Sequence, residues 1–332
     1  MSELTRRTML AGSAASGAAS VAPMATTSSA QAAAPPTGKQ AAGYYRYKVG
    51  DYEITVVTDG ATTRPLDEGF VINTKKDEVN AALAAAYLEK DKVTIPYNPI
   101  VVNTGTKLIV IDTGAGEAAL ERSKGTAGQF QSNLKAAGID RNAVDVVVIS
   151  HFHGDHVNGL LTQDNKLAFA NAEVMVPAAE WKFWMDDGEM SRAPAGRMQE
   201  LFKNNRRVFD ALNRKVTPYE PGKEIAPGIT AVATHGHSIG HSSHIVASGS
   251  SKVYVQADVT NLPYLFARNP GWHAAFDQDP KMAEETRRKV YDMLAAEKMM
   301  VQGFHYPFPA LAYVEKTATG YREIPVPWSP TL

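Results

Sequence analysis

The chain has 332 residues, 44% hydrophobic and 21% charged, which is ordinary globular composition and excludes disorder throughout. Lys plus Arg number 34 against 35 for Asp plus Glu, a net charge of -1, so no basic excess points to nucleic acid or an anionic membrane. Cysteine is absent, which removes disulfides, thiolate metal sites and a cysteine nucleophile, and leaves imidazole and carboxylate as metal ligands.

In chain order, Arg6 and Arg7 stand just ahead of a weakly apolar stretch rich in Ala, Ser and Gly, with no charge again until Lys39. Ala30-Gln31-Ala32 is a small-x-small cleavage signal. Residues 1–32 resemble a twin-arginine export signal, which predicts a periplasmic protein beginning near Ala33. No run of about 20 apolar residues reads as a membrane span. Residues 33–43 read as a linker and 44–332 as one domain.

Alternation over 52–58 before Asp59-Gly60 predicts a strand and a turn. Residues 76–92 have helical composition, and 99–112 read as a hairpin turning at Thr104-Gly105-Thr106. A short helix is predicted from Gln129 to Ala137, closed by Gly138. The β-branched run 144–149 reads as a buried strand. Another strand follows at 173–177, then a mixed, partly helical segment to Leu212. Strands at 229–233, 244–247 and 253–257 precede a charged helix over 280–298. Two clusters of strands, each with helices, predict an α/β fold: two sheets face to face with helices outside, an αββα sandwich.

The strongest signal is Ser-His-Phe-His-Gly-Asp-His at 150–156. Its H-x-H-x-D-H core has a chance probability of about one in a million per site. A strand end feeding a tight loop can aim His151 and His153 at one ion and Asp155 and His156 at a second. Neutral imidazole and carboxylate suit Zn²⁺ or a similar divalent ion. Further candidates also follow apolar strands: His237, Asp258 and His305. Singly, each is weak, since a lone Asp after a strand is more often a cap or turn residue and a lone His more often structural; with the four of the motif they make seven candidate ligands.

The sequence resembles the metallo-β-lactamase superfamily and, within it, the methyl parathion hydrolase group. The resemblance runs from about residue 43 to 327. It rests on the 150–156 motif, Gly43-Tyr44-Tyr45-Arg46, Asp112-Thr113-Gly114-Ala115, the run at 133–138, His235-Gly236-His237 and Pro307-Phe308-Pro309. It implies two divalent ions, most simply Zn²⁺. His151, His153 and His237 would hold one, Asp155, His156 and His305 the other, with Asp258 bridging. A bridging hydroxide would attack the substrate, with Asp155 or Asp258 orienting the water or receiving its proton. Asp112 would orient the ligands or is a turn aspartate, His241 would support them or is structural, and Trp184 and Phe202 would line a leaving-group pocket or simply pack in the core. His235, His244 and His273 read as ordinary histidines.

The loop at 116–128 departs from the group's pattern, which weakens an organophosphate preference and favours another ester or a lactone. The expected function is a dinuclear hydrolase of a small neutral ester: an organophosphate triester, an aryl ester or a lactone. The alternatives are a quorum-quenching-type lactonase, a β-lactam hydrolase and a non-catalytic periplasmic metal-binding protein. The expected partner is a small molecule, without nucleic acid or stable membrane insertion, and the resemblance implies a homodimer.

Overall fold

The computed structural model describes residues 36–38 and 40–332, so the expected leader at 1–32 lies outside the described residues. Residues from Ala42 to Leu332 make up one unit. In it, β1 (Tyr44–Val49) and β2 (Tyr52–Val57) form a hairpin. β3 (Gly60–Pro65) pairs across α1 (Lys76–Ala85) with β4 (Lys92–Tyr97) as a separate two-stranded ribbon. The hairpin of β5 (Ile100–Asn103) and β6 (Leu108–Ile111) leads to α2 (Ala118–Arg122) and α3 (Phe130–Ala136). β7 (Val146–Val148), the one-turn α4 (Gly154–Val157) and β8 (Glu173–Pro177) follow. Three helices, α5 (Ala178–Trp184), α6 (Asp187–Arg192) and α7 (Arg197–Ala211), precede β9 (Thr217–Tyr219).

The second half begins with β10 (Glu224–Ala226), β11 (Ile229–Ala233), β12 (Ser242–Ser248) and β13 (Ser251–Ala257). It ends with α8 (Pro263–Phe266), α9 (Pro280–Glu297), β14 (Met300–Gly303), β15 (Leu311–Lys316) and β16 (Tyr321–Pro325). One seven-stranded sheet runs β1-β2-β5-β6-β7-β8-β9 and the other runs β10 to β16 in sequence order. Each sheet contains parallel neighbours, β6/β7/β8/β9 in the first and β13/β14 in the second.

Alternation along the strands builds the layers. Ile100, Val102, Ile109, Ile111, Val146 and Val148 face a core shared with Ile229, Val246, Val253 and Val255 of the other sheet. Their intervening neighbours Val101, Val110 and Val147 pack outward against Phe130, Leu134, Phe202 and Phe209 of the helices. On the far side, Tyr254 and Val301 pack against Val290, Tyr291 and Leu294 of α9. The αββα sandwich follows.

α1 ends at Ala85, short of the helix expected to 92, because Tyr87 (φ 59°) and Asp91 (φ 60°) take left-handed conformations. The Asp91 amide bonds to the Asn80 side chain at 2.8 Å, which turns the chain back into β4. None of the described helices is long and apolar enough to cross a membrane.

Candidate metal centre

The site forms where strands of both sheets end on one edge. Beyond β7, the chain turns at Ser150, whose amide and hydroxyl donate to the buried Asp112 carboxylate at 2.8 and 2.7 Å. Asp112 itself ends β6 in a left-handed conformation (φ 59°), which turns its side chain back under the motif. His151 and His153 follow in the turn, and α4 then presents Asp155 and His156. His237 lies in the loop after β11, Asp258 directly after β13, and His305 two residues after β14.

These side chains converge. His153 Nδ1 lies 3.0 Å from His151 Nε2 and 2.8 Å from His237 Nε2. Asp258 Oδ1 is 3.2 Å from His156 Nε2, while its Oδ2 is 3.2 Å from His237 Nε2 and 2.9 Å from His305 Nε2. Asp155 Oδ2 is 3.5 Å from His305 Nε2 and 3.8 Å from His156 Nε2. Three groups could therefore hold a cation: His151, His153 and His237; His151, His156 and Asp258; and Asp155, His156 and His305. Asp258 stands between the outer two.

The far nitrogen of four rings is pinned. His151 Nδ1 donates to the Ser150 hydroxyl oxygen (3.0 Å), His156 Nδ1 to Asp112 (2.8 Å), His237 Nδ1 to Asp277 (2.8 Å) and His305 Nδ1 to the Pro96 carbonyl (2.8 Å). In the neutral ring the proton stays on the far side and the near nitrogen turns a lone pair inward, as a metal requires. His156 Nε2 and Asp258 Oδ1 are buried without a hydrogen-bond partner. Converging lone pairs beside an orphaned carboxylate oxygen fit a divalent cation and fit little else.

Charge divides the rings into two kinds: two stay neutral, and two hold a proton that a cation would displace. Burial and the neighbouring imidazoles push His151 and His153 well below the ordinary histidine range, keeping them neutral ligands. Burial also opposes charge on His156 and His237. There the carboxylates outweigh it, led by Asp258: His156 is held well above its ordinary value and His237 is raised to about 9. Burial works against a charged Asp258, yet His305, His156 and His237 hold its carboxyl well below the usual range.

Asp112 sits under His156 as expected. His241 Nε2 accepts the Asp258 amide at 3.0 Å and its Nδ1 donates to Thr234, so His241 fixes the backbone of the central aspartate. His273 pairs with Glu284, and His244 packs on Tyr219 away from the cluster. The expectation for Trp184 and Phe202 needs correction. Both are fully buried in the helix-side core and neither lines the cavity over the ligands. Their helix-face spacing serves packing, and Trp184 Nε1 is spent on Glu180.

That cavity, about 580 Å³, opens on His153, Asp155, His237, Asp258 and His305. Its other walls come from β3, the loop between β3 and α1, β4, α7 and the segment before α9, through Arg64, Phe70, Ile95, Tyr97, Arg197 and Phe276. No residue of the divergent 116–128 loop is on its wall.

Two buried carboxylates were not anticipated. Asp277 pins His237 and lies 3.6 Å from the buried Arg287. Glu180 accepts from Phe152 N (2.9 Å), Trp184 Nε1 (2.8 Å), Ser238 Oγ (2.7 Å) and Gly240 N (2.6 Å). A lone acid among Trp181, Phe183 and Trp184 was the available signal for it.

The metallo-beta-lactamase superfamily profile matches residues 94–290, well over half of the chain. The chain belongs to the metallo-β-lactamase superfamily. It is 24% identical over 241 residues to N-acyl homoserine lactonase AiiA of Bacillus thuringiensis subsp. kurstaki, covering 67% of this chain and 84% of that one. Among solved structures, hydrolase AbOPH of the β-lactamase superfamily has a TM-score of 0.80 at 28% identity, covering 88% of this chain and all (100%) of that one. AidC, a dizinc quorum-quenching lactonase, has a TM-score of 0.79 at 24% identity, covering 86% and 98%, and supports the fold.

Proposed function

We propose that the protein hydrolyses a small lactone or carboxylic ester, with two zinc ions held by the seven converging side chains. It is a metal-dependent hydrolase. The carrying observation is that two histidine-rich groups flank Asp258 at the floor of an open cavity. His151, His153 and His237 would hold one cation, Asp155, His156 and His305 the other, and Asp258 both. Bound there, the pair would lower the pKa of water and polarise the oxygen of the bond under attack.

The chain supplies the rest. Ser150, Asp112, Asp277 and the Pro96 carbonyl lock the rings, and His241 holds the Asp258 backbone. Asp155, partly exposed, faces the cavity, where Oδ2 can take the proton of the attacking water and return it to the departing oxygen. Phe70, Ile95, Leu201 and Phe276 offer apolar surface for the acyl chain. An open cavity at the ligands favours catalysis over a purely structural site.

The lactonase relatives favour a lactone, and the burial of Trp184 and Phe202 removes the aromatic pocket on which an organophosphate reading leaned. Membership of the methyl parathion hydrolase group is the second reading, favoured by the flanking motifs. The test is metal analysis with parallel kinetics on an acyl-homoserine lactone, p-nitrophenyl acetate and methyl parathion. Full activity in metal-free protein would refute the mechanism; methyl parathion as the best substrate would favour the second reading.

A further inference from the structure

The cavity over the ligand cluster carries two guanidinium groups that lack a carboxylate partner. Arg64 comes from the end of β3 and Arg197 opens α7, and both lie on the cavity wall. Arg64 stacks over the Phe70 ring, 5.2 Å from its centroid. Arg197 donates one 3.3 Å hydrogen bond to the Ala275 carbonyl. Arg46 pairs with Glu53 and Arg322 with Glu315, but among the described residues neither Arg64 nor Arg197 has an ion pair. A guanidinium has five N–H donors, so each group has donors to spare.

The two groups share one field. Burial pushes Arg197 below its ordinary range; Asp155 opposes the shift and Arg64 adds to it. Two cations on one cavity wall repel each other unless a negative charge comes between them. Asp67 and Asp155 line the same cavity and Asp277 also acts on Arg197, but among the described residues none of them reaches ion-pair distance of either guanidinium, and the field of Asp67 also reaches Lys76. A planar carboxylate matches the guanidinium fork and would be held with defined geometry.

We propose that Arg64 and Arg197 form an anion subsite and that the preferred ester or lactone carries a carboxylate remote from the bond cleaved. This rests on the hydrolase reading of the same cavity and adds the charge of the substrate to it. In the reaction, water adds across the acyl–oxygen bond. Its hydroxyl goes to the acyl carbon, its proton to the departing oxygen, and the remote carboxylate is unchanged. Phe70, beneath Arg64, and Phe276 give the linking hydrocarbon an apolar wall.

The test compares mono-p-nitrophenyl glutarate with its methyl ester on metal-loaded protein. The acyl chain is the same and the charge is removed; the spontaneous rate of each ester, which for the acid includes attack by its own carboxylate, is subtracted. The acid is expected to have a kcat/KM at least about tenfold higher, expressed mainly in KM. That ratio is expected to collapse to near one in the R64Q/R197Q double variant. A ratio of one or below in the unaltered protein, or a ratio that survives in the variant, overturns the subsite. R64Q alone changes an exposed side chain without hydrogen bonds and should lower the ratio severalfold if the double variant fails to fold.

Calorimetry with glutaramate, which keeps the carboxylate beside a neutral amide, separates the two failures. Binding is expected to weaken at least about tenfold in the variant. A carboxylate seated on the metals would bind both proteins alike, which refutes the subsite. If neither ester is turned over, the hydrolase reading fails while the calorimetry still decides the subsite.

Discussion

Glu180→Gln tests how the first histidine trio is held. Glu180 is fully buried on α5 and four donors converge on its two oxygens. Phe152 lies between His151 and His153, and Gly240 follows His237 by three residues, so one carboxylate braces both loops of the trio. Glutamine keeps the shape but turns one oxygen into a donor. Turned toward Ser238, the amide nitrogen can donate to the hydroxyl, but the Gly240 N–H then faces another donor. Turned the other way, two N–H groups are stranded. The better arrangement strands one buried N–H, at about 1–3 kcal/mol, and weakens the remaining bonds from charged to neutral strength. Relief from burying a charge offsets part of this, leaving an expected loss of about 2–4 kcal/mol. The assay is urea unfolding of metal-loaded and chelated protein, with metal content measured alongside. The variant should lose one metal per chain to a chelator faster than the other. A stability change below about 0.5 kcal/mol with unaltered metal retention refutes the bracing role.

Asp258→Ala removes the carboxylate that touches His156, His237 and His305, and should cut turnover more than about 100-fold and lower metal occupancy; near-native rates would exclude the central role. Phe202→Ala should destabilise by about 3–5 kcal/mol while leaving the KM ratio of aromatic to aliphatic substrates unchanged; a shifted ratio would return Phe202 to the pocket. Burial, only partly opposed by Asp112, pushes His244 from 6.5 down to about 4. Folding favours its neutral form, so its contribution is complete above pH 6.5 and lost as pH falls through about 4, a swing of about 3 kcal/mol. His244→Asn should therefore flatten the decline of stability between those values, and an equally steep decline refutes it. We propose export by the leader, in which case periplasmic protein should begin near Ala33; an intact Arg6-Arg7 leader on that protein would refute cleavage there.

The parts of the fold legible in the sequence are those where one segment carries its own signal. The run around β7 reads as buried because Val146 and Val148 face one core while Val147 faces the other. The motif is legible because four of its ligands fall within six residues. The β3–β4 ribbon was not legible. β3 is Gly-Ala-Thr-Thr-Arg-Pro with no buried residue, and the start of β4 continues the polar composition of the helix before it. The hairpin of β15 and β16 escaped for a related reason: Val314, Tyr321 and their neighbours are apolar only where they meet α9 and its sheet. Trp184 and Phe202 mark a limit of another kind, since helical spacing reports that a face is apolar and not what it faces. Asp277 was invisible because the ring it pins lies 40 residues away, and Glu180 showed only as a lone acid among aromatics because the loop it braces at Ser238 lies 58 residues away.

The pinned rings imply that metal binding and folding are linked. Hydrogen bonds to Ser150, Asp112, Asp277 and Pro96 fix the orientation of these four rings whether or not a cation is present. The metal-free protein therefore cannot relieve the crowding of His151, His153 and His237 by rotating His151 or His237 without breaking a buried hydrogen bond. His156 Nε2 and Asp258 Oδ1 remain orphaned, each at about 1–3 kcal/mol. A cation that satisfies them and binds only the folded state adds about 4 kcal/mol at a thousandfold excess over its dissociation constant. For a domain this large each kcal/mol moves the midpoint by about 2–4 °C, so complete chelation should lower Tm by roughly 8–16 °C. Added zinc should restore it. Melting curves that coincide with and without metal, on protein shown by elemental analysis to be stripped, would mean that the lone pairs do not converge on a cation.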